Sequence, residues 1–178
     1  MYATEIINET VIINDILPKG NLLFIKIKDD TIWDSSIISR KTCSYGKPYN
    51  YSNINYQFVE FPKYISDLAS IVESKFAFLP NNCLINYYND GNSKMGFHSD
   101  QINLLSKDSG IAIFSLGSSR ILRFKNKNDN SIIHDIILHP NSLFFMSKKI
   151  QQDWLHSLLN DKNDLSNSRI SITFRKLK

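Results

Sequence analysis

The chain has 178 residues, of which 42% are hydrophobic and 12% aromatic, so it can bury a sizeable core within one domain. Its formal net charge of +4 favours a polyanionic partner such as nucleic acid. Its two cysteines, Cys43 and Cys83, exclude a disulfide framework and a Cys-x-x-Cys zinc site, and they indicate a reducing, intracellular compartment.

In chain order, residues 1–20 have no basic segment before their apolar stretch and do not predict a signal peptide. Residues 22–28, LLFIKIK, alternate at their end and predict a strand, and residues 57–61, QFVEF, predict another. Pro62 suits the first turn of the amphipathic helix that follows. The apolar stripe of this supporting helix consists of Ile65, Leu68, Ala69, Val72 and Phe76.

After Pro80, short apolar runs alternate with turn segments such as NDGNS, KNDN and HPN. The runs that predict strands are CLINYY, GIAIFSLG, RILRFKN, SIIHDIILHP, NSLFFMS and RISITFRK. Many short strands at this spacing are typical of an antiparallel sandwich or barrel. The predicted fold is therefore mainly β within the α+β class. It is a double-stranded β-helix (jelly roll) over about 80–178, with a supporting N-terminal helix, in one domain covering 1–178.

Three sets of polar side chains share strand faces, because residues two apart on a strand point to the same side. Asn86 and Tyr88 form the first set, and His98 and Asp100 in GFHSD form the second. The third set occupies one face of RISITFRK and consists of Arg169, Ser171, Thr173 and Arg175. The opposite face of that strand is entirely apolar and must be buried, so its polar face either meets solvent or lines a polar cavity.

An imidazole and a carboxylate on one strand supply two thirds of a metal site if a second histidine comes from a later strand. The candidates are His134, His139 and His156. His139 precedes a proline and is typical of a turn, whereas His134 lies among isoleucines as a core or surface residue. We prefer His156, which lies in DWLHSL shortly before the arginine-rich strand.

Two histidines and one carboxylate form the facial triad of non-haem Fe(II) oxygenases, which leaves positions for a bidentate cosubstrate and O2. A dicarboxylate cosubstrate needs cations, and the planar fork of an arginine matches a carboxylate best. Arg169 and Arg175 lie on one face of one strand and supply two such forks. The triad and the arginine pair together are far more specific than either motif alone.

These motifs resemble the AlkB family of Fe(II)- and 2-oxoglutarate-dependent dioxygenases. NYYNDGNSKMGFHSD is similar to the family segment N-x-Y-x-D-G…H-x-D, WLHSL to its distal histidine segment, and SRISITFRK to its closing R-x-N-x-T-x-R strand. SLGSSRILRF and HPNSLFFM match its intervening strands in order and roughly in spacing. Upstream, RKTCSYGKPYNYS resembles the nucleotide-recognition lid of the animal nuclear homologs. The resemblance covers residues 32–178 and is nearest to those homologs.

The resemblance implies that Fe(II) is held by His98, Asp100 and His156, with O2 and 2-oxoglutarate as the other reactants. The residues implied to hold 2-oxoglutarate are Asn86, Tyr88, Arg169, Ser171, Thr173 and Arg175. A nucleotide-recognition lid is implied over about 30–60. The residues implied to contact the substrate are Arg40, Tyr49, Tyr51, Ser52 and Gln101, together with Ile32 and Trp33 where duplex-acting homologs carry an apolar wedge.

Two positions depart from the family pattern. Ser171 stands where the family usually has asparagine, so one hydrogen bond in the cosubstrate strand is altered. Gln101 and Ile102 follow Asp100 where the family usually has an acidic pair, whose first member contacts the damaged base. A glutamine donates hydrogen bonds as well as accepting them, so the preferred methylated base stays open.

The implied activity is oxidative demethylation of N-alkylated bases in DNA or RNA, as in alkylation-damage repair. The cosubstrate becomes succinate and carbon dioxide, and the hydroxylated methyl group leaves as formaldehyde. Two alternatives remain: the same iron chemistry on a protein side chain, lipid or small metabolite, and an inactive nucleic-acid-binding module. No uncharged run reaches membrane-spanning length. We therefore expect a soluble intracellular monomer without a membrane partner, in the nucleus or the cytoplasm.

Overall fold

The computed structural model of the protein describes residues 6, 8–50, 54–163 and 165–178. The first elements are β1 (Thr10–Ile13), α1 (Gly20–Asp30), β2 (Lys41–Gly46), α2 (Lys63–Phe76), β3 (Asn82–Tyr88) and β4 (Met95–His98). They are followed by β5 (Gly110–Gly117), β6 (Arg120–Asn126), β7 (Ile133–Leu138), β8 (Ser142–Ser147), α3 (Ile150–Asp153), β9 (Trp154–Leu158) and β10 (Arg169–Arg175). The described helices include none with the length and apolar character needed to cross a membrane.

Antiparallel strands form two sheets that face each other across a shared core. Within the described part of the chain, the larger sheet has the order β1-β8-β5-β10-β3-β2 and the smaller one β4-β9-β6-β7. Apolar side chains of both sheets, such as Phe144 from β8 and Phe124 from β6, pack together between them. Two facing antiparallel sheets in this order form a jelly roll, so the predicted fold class is confirmed.

The central strand β10 separates the two sides of the larger sheet. It pairs with β5 on one side and β3 on the other, and all seven of its residues are buried. Ile170, Ile172 and Phe174 pack in the core on the helix side of the sheet. The alternate polar residues line a cavity between the two sheets. Of the two possibilities that the sequence left for this face, solvent or a polar cavity, the structure has the cavity.

Helix α2 covers the outer side of the larger sheet, as its apolar stripe predicts. Ile65, Leu68 and Val72 are buried in the same core as β10, and Phe76 stacks on Phe145 with 4.3 Å between ring centroids. The helix ends where Ala77 adopts a left-handed conformation and its N–H donates to the carbonyl of Glu73. This helix therefore has the supporting role expected from the sequence.

The strand predicted over residues 22–28 is wrong, because this segment lies within helix α1. Leu23, Phe24 and Ile27 pack against the core, whereas Leu22 and Ile25 are exposed. That spacing of three to four residues is helical, and the short IKIK alternation at the end of the segment concealed it. The spacing of the buried positions over the whole segment, rather than the alternation of four residues, indicates the helix.

The strand predicted over residues 57–61 is also wrong. In this segment the structure has one isolated bridge, between Val59 and Gly46. Gly46 ends β2 in a left-handed conformation with φ of 73°, so the edge to which these residues could pair stops there. Pro62 follows at the N-cap of α2 and has no N–H for a further ladder bond.

The larger sheet also recruits strands from upstream of the predicted jelly-roll core. β1 pairs with β8, and β2 pairs with β3, where Cys43 lies opposite Ile85. β2 falls within the segment interpreted as a nucleotide-recognition lid. Part of that segment is therefore an edge strand of the larger sheet, and this strand fixes the position of the residues on both sides of it.

Candidate metal centre and cavity

A cavity of about 410 Å³ opens between the two sheets. Its volume falls in the range of about 300–1,000 Å³ that is typical of small-molecule sites. Both sheets contribute apolar walls, including Leu84, Ile113, Leu122, Leu138, Met146 and Leu158. The polar lining comes mainly from β3, β9 and β10, from β4 and the residues just after it, and from Arg40 and Tyr49 of the predicted lid segment. Apolar walls with a few convergent polar groups are typical of a small-molecule binding site.

Three of the predicted residues meet on one wall of this cavity. His98 ends β4, Asp100 follows two residues later, and His156 lies in the middle of β9. The pairing of β4 with β9 sets His98 opposite His156, with 4.2 Å between their ring centroids. One potential ligand atom from each of the three side chains lies within 4.8 Å of the others. The structure thus brings together the triad that period-two spacing and the choice of His156 predicted.

A β-bulge next to His98 fixes the orientation of its ring. Met95 lies opposite Leu158 and His98 opposite His156, so β4 carries one extra residue between these two pairs. His98 Nδ1 lies 2.9 Å from the carbonyl oxygen of Gly96 within this bulge. A carbonyl only accepts, so Nδ1 carries the proton and Nε2 presents its lone pair to a metal.

Asp100 is buried and is held by contacts that leave one carboxylate oxygen for a metal. Arg175 donates to Oδ2 from Nε at 3.1 Å and from Nη2 at 3.0 Å. The main-chain N–H of Asp100 donates to Oε1 of the buried Gln151 at 2.9 Å. Burial raises the pKa of this carboxyl, but the Arg175 guanidinium and, to a lesser extent, the neighbouring His156 and His98 rings outweigh burial and hold it below its usual value. Asp100 is therefore an anion with Oδ1 available.

His156 is neutral and ready for ligation. Burial is the main cause that lowers the pKa of its imidazole to about 3, and the neighbouring His98 lowers it further. Its side chain is 4% exposed, and Nδ1 has no hydrogen-bond partner among the described residues. Metal ligation requires neutral imidazoles and an ionised carboxylate. The donor set and its protonation state fit a divalent cation such as Fe(II).

Arg169 is the buried cation of the same cavity. It is 1% exposed, and Nη2 donates to Ser115 Oγ at 2.8 Å. Its Nε has no hydrogen-bond partner, and the guanidinium forms no ion pair within the described chain. Burial lowers the pKa of Arg169 to about 10, so the group remains charged at neutral pH. A buried charge of this kind is stabilised by an anion, and the planar fork suits a carboxylate.

The other residues predicted to hold 2-oxoglutarate line the same cavity. Asn86 accepts a hydrogen bond from Arg40 Nε at 2.9 Å and donates to Ser171 Oγ at 3.4 Å. Tyr88 and Thr173 are buried in the lining: Tyr88 lies opposite Arg169 on the neighbouring strand β3, and Thr173 lies on β10 two residues before Arg175. Arg175 itself is engaged by Asp100. This ion pair with the metal ligand Asp100 lies in the wall of the cavity. A contact between Arg175 and the cosubstrate remains a prediction.

The predicted substrate residues divide into two groups. Arg40, Tyr49 and Gln101 line the cavity, and Tyr49 Oη accepts a hydrogen bond from the main-chain N–H of Gln101 at 2.9 Å. The guanidinium carbon of Arg175 lies 4.3 Å from the ring centroid of Tyr49. Ile32 and Trp33 lie outside the cavity lining. The remaining two, Tyr51 and Ser52, fall outside the described residues.

Ile32 and Trp33 differ from each other in burial. Ile32 is 92% exposed, whereas Trp33 is half-buried with its ring centroid 5.3 Å from that of Tyr87. Trp33 Nε1 also donates to the carbonyl of Lys28 at 3.1 Å. The two remaining histidines, His134 and His139, are on and just after β7 and do not line the cavity.

Sequence reasoning missed two residues that support this site. Gln151 lies in the four-residue helix α3, for which no pattern in the sequence is diagnostic. Arg120 is buried at the start of β6, where Leu122 and Phe124 follow it on the inner face at period two. The period-two spacing of Arg120 with these two apolar residues could have predicted from the sequence that the arginine is buried.

The sequence profile of the 2OG-Fe(II) oxygenase superfamily matches residues 30–175. The chain belongs to this superfamily. Its cofactor is therefore Fe(II) and its cosubstrates are 2-oxoglutarate and O2, as the His-Asp-His triad already indicates. The protein is accordingly a dioxygenase.

Known relatives place the chain among AlkB-like members of the superfamily. It is 27% identical over 183 residues to uncharacterized protein R406 of Acanthamoeba polyphaga mimivirus, across 99% of this chain and 92% of that protein. It is 29% identical over 159 residues to the DNA oxidative demethylase ALKBH2 of Bos taurus. That match covers 82% of this chain and 55% of the cattle protein, so the chain spans about half the length of this relative.

The solved structure of OsALKBH1 shares the fold. It superposes with a TM-score of 0.72 at 17% sequence identity, over 94% of this chain and 98% of that chain. At this identity the likeness concerns the jelly roll alone.

Bound Fe(II), 2-oxoglutarate and O2 would supply an oxidation in which the cosubstrate loses carbon dioxide to become succinate, and one oxygen atom of O2 ends in succinate and the other in the oxidised substrate. His98, Asp100 and His156 would hold the metal, and Arg169 offers its fork to a carboxylate of the cosubstrate. Arg175 and Gln151 keep Asp100 in place. The apolar walls exclude water, which strengthens each of these electrostatic contacts.

Proposed function

We propose that the protein oxidatively demethylates N-alkylated bases in DNA or RNA, as in the repair of alkylation damage. The observation that carries this proposal is the hydrogen bond between Tyr49 Oη and the main-chain N–H of Gln101. It joins the predicted nucleotide-recognition lid to the residue directly after Asp100. A base entering past Tyr49 would therefore lie next to the metal triad.

The polar groups near this entrance suit the edges of a nucleobase. Arg40 is buried and donates to Asn86, and the Gln101 side chain is exposed at the cavity lining with an amide that both donates and accepts. The triad lies inside the cavity, so a target base must be single-stranded or extruded from a duplex. The net charge of +4 favours a polyanion, and a relative is named a DNA oxidative demethylase.

The test is mass spectrometry of a panel of oligonucleotides, each carrying one methylated base, after incubation with Fe(II) and 2-oxoglutarate. The panel pairs DNA with RNA and single strands with duplexes. We expect at least one strand to lose its methyl group with wild-type protein and none to do so with His98→Ala. No loss on any strand, in the presence of normal 2-oxoglutarate turnover, would contradict the proposal.

A second candidate keeps the iron chemistry and changes the substrate to a protein side chain, lipid or small metabolite. Gln101 favours it, because this residue stands where the family usually has an acidic contact to the damaged base. The same panel separates the two. Succinate formation that no oligonucleotide stimulates, together with unchanged oligonucleotide masses, supports the second candidate.

A further inference from the structure

Arg120, the first residue of β6, ties three chain segments together through its side chain. It is 3% exposed, and its Nε donates to the carbonyl of Leu159 at 3.0 Å, as does Nη2 at 2.6 Å. Nη1 donates to the carbonyl of Asp90 at 3.3 Å, and Nη2 also donates to the carbonyl of Ser93. One guanidinium therefore satisfies three main-chain carbonyls.

These carbonyls belong to the segments that flank the metal and cosubstrate residues. Asp90 follows β3, which carries Asn86 and Tyr88, and Ser93 precedes β4, which carries His98. Leu159 directly follows β9, which carries His156. The segments also bind each other, because the N–H of Asp161 donates to the carbonyl of Gly91 at 2.7 Å. Arg120 lies beneath this pair of loops.

The Arg120 guanidinium also adds charge beside Arg169. Its central carbon lies 6.0 Å from the ring centroid of Tyr88, and that of Arg169 lies 5.5 Å from the same ring. Neither guanidinium forms an ion pair with a carboxylate of the described residues. Arg169 lines the cavity, whereas Arg120 does not. Two buried cations therefore lie at this end of the cavity. Arg169 is the one that lines it, and Arg120 lies behind the lining.

Burying an arginine carries a large desolvation penalty, and apolar side chains of similar volume often stabilise a core position equally well. An arginine at this position is understandable if its hydrogen bonds to the three carbonyls and its positive charge both help the cavity to bind its ligand. We propose that Arg120 is a positioning residue for 2-oxoglutarate: it fixes the loops around Tyr88 and Arg169 and makes that end of the cavity more attractive to a dianion. The inference rests on the assignment of Arg169 to the cosubstrate, and it is independent of the nucleic-acid substrate.

The experiment measures 2-oxoglutarate binding by calorimetry on protein loaded with Mn(II), which does not turn over. Arg120→Lys keeps the charge but reaches fewer carbonyls, and Arg120→Met removes both. Arg123→Met is the matched control, because Arg123 lies on the same strand and pairs with Asp135 on the outer surface. Hydrogen exchange of the Gly91 and Asp161 amides reports the loops directly.

We expect the Kd for 2-oxoglutarate to rise about tenfold in Arg120→Met, which corresponds to about 1.4 kcal/mol. It should rise by a smaller factor in Arg120→Lys and stay unchanged in Arg123→Met. Exchange at Gly91 and Asp161 should accelerate in both Arg120 variants, while Mn(II) affinity without 2-oxoglutarate should stay within about twofold of wild type, because the triad itself is intact.

Lower thermal stability with an unchanged Kd would overturn the proposal and leave Arg120 a purely structural residue. A Kd that rises in Arg120→Met while Arg120→Lys equals wild type in both Kd and exchange would overturn the role of the carbonyl contacts. If Arg120→Met does not fold, the Arg120→Lys measurements decide alone. None of these readouts requires a nucleic acid, so failure here and failure of the proposed demethylation are distinguishable.

Discussion

At the scale of single residues, the centre depends on how the two oxygens of Asp100 are used. The two side-chain hydrogen bonds that Arg175 donates to Asp100 both go to Oδ2, so the arginine holds the carboxylate and leaves Oδ1 for a metal. Both side chains of this pair are buried. A charge in such a place is tolerated only with its partner present. The arginine therefore stabilises the fold and orients a metal ligand.

Replacing Arg175 by methionine should destabilise the metal-free protein strongly, because it leaves the buried Asp100 carboxylate without its partner. Loss of one member of a buried ion pair costs about 3–5 kcal/mol. The free energy of unfolding from urea denaturation measures this. Arg123→Met is the matched control, since its pair with Asp135 is about one-third exposed and is worth only about 0–1 kcal/mol. Equal losses in the two variants would contradict the buried-pair account.

The histidines give a second residue-scale prediction, measured as metal affinity. His156→Ala should abolish binding of Fe(II) or its substitute Mn(II), because three ligands leave no redundancy. His139→Ala should bind metal like wild type, since His139 is exposed after β7 and contacts Ser119 rather than the cavity. Titration calorimetry compares the two at equal protein concentration. The ligand assignment fails if His139→Ala loses the metal and His156→Ala keeps it.

At the scale of elements, short apolar runs between turn segments predicted most of the strands, and period-two alternation predicted the polar face of β10. It failed at α1, because four residues of IKIK alternate by chance within a longer helical spacing of buried positions. It could not decide whether the polar face of β10 meets solvent, because that depends on the smaller sheet lying opposite. The bulge before His98 and the contact between Gln151 and Asp100 arise from pairing between distant segments.

The segment between α1 and β2 gives an element-scale prediction about strand preference. Trp33 packs on Tyr87 and bonds the end of α1, so Trp33→Ala should lower the melting temperature and reduce activity on single and double strands alike. A fully buried aromatic costs about 3–5 kcal/mol when truncated, and this half-buried one should cost less. Ile32→Ala, at a position 92% exposed, should melt like wild type and lose activity selectively on duplexes. Wild-type melting with duplex-selective loss in Trp33→Ala would instead make Trp33 the wedge.

At the scale of the whole molecule, the larger sheet separates support from chemistry. Its outer side is covered by α1 and α2 around one apolar core, and its inner side meets the smaller sheet around a second core and the cavity. The triad comes mainly from the smaller sheet, and the cavity-lining Arg169 and Arg175 come from β10 of the larger one. The metal ligands and the cosubstrate residues are brought together only by the packing of the two sheets, which explains why no single segment of the sequence contains the site.

The proposed demethylation is tested most directly by counting two products of one reaction. Wild-type protein is incubated with Fe(II), 2-oxoglutarate and a methylated oligonucleotide, and succinate and formaldehyde are quantified together. The unmethylated strand of the same sequence is the control. We expect only residual succinate and no formaldehyde on the control. On a methylated substrate strand we expect formaldehyde equal to the succinate formed above that control, and we expect neither product in Asp100→Ala. Succinate without formaldehyde on every methylated strand, or formaldehyde from Asp100→Ala, would contradict it.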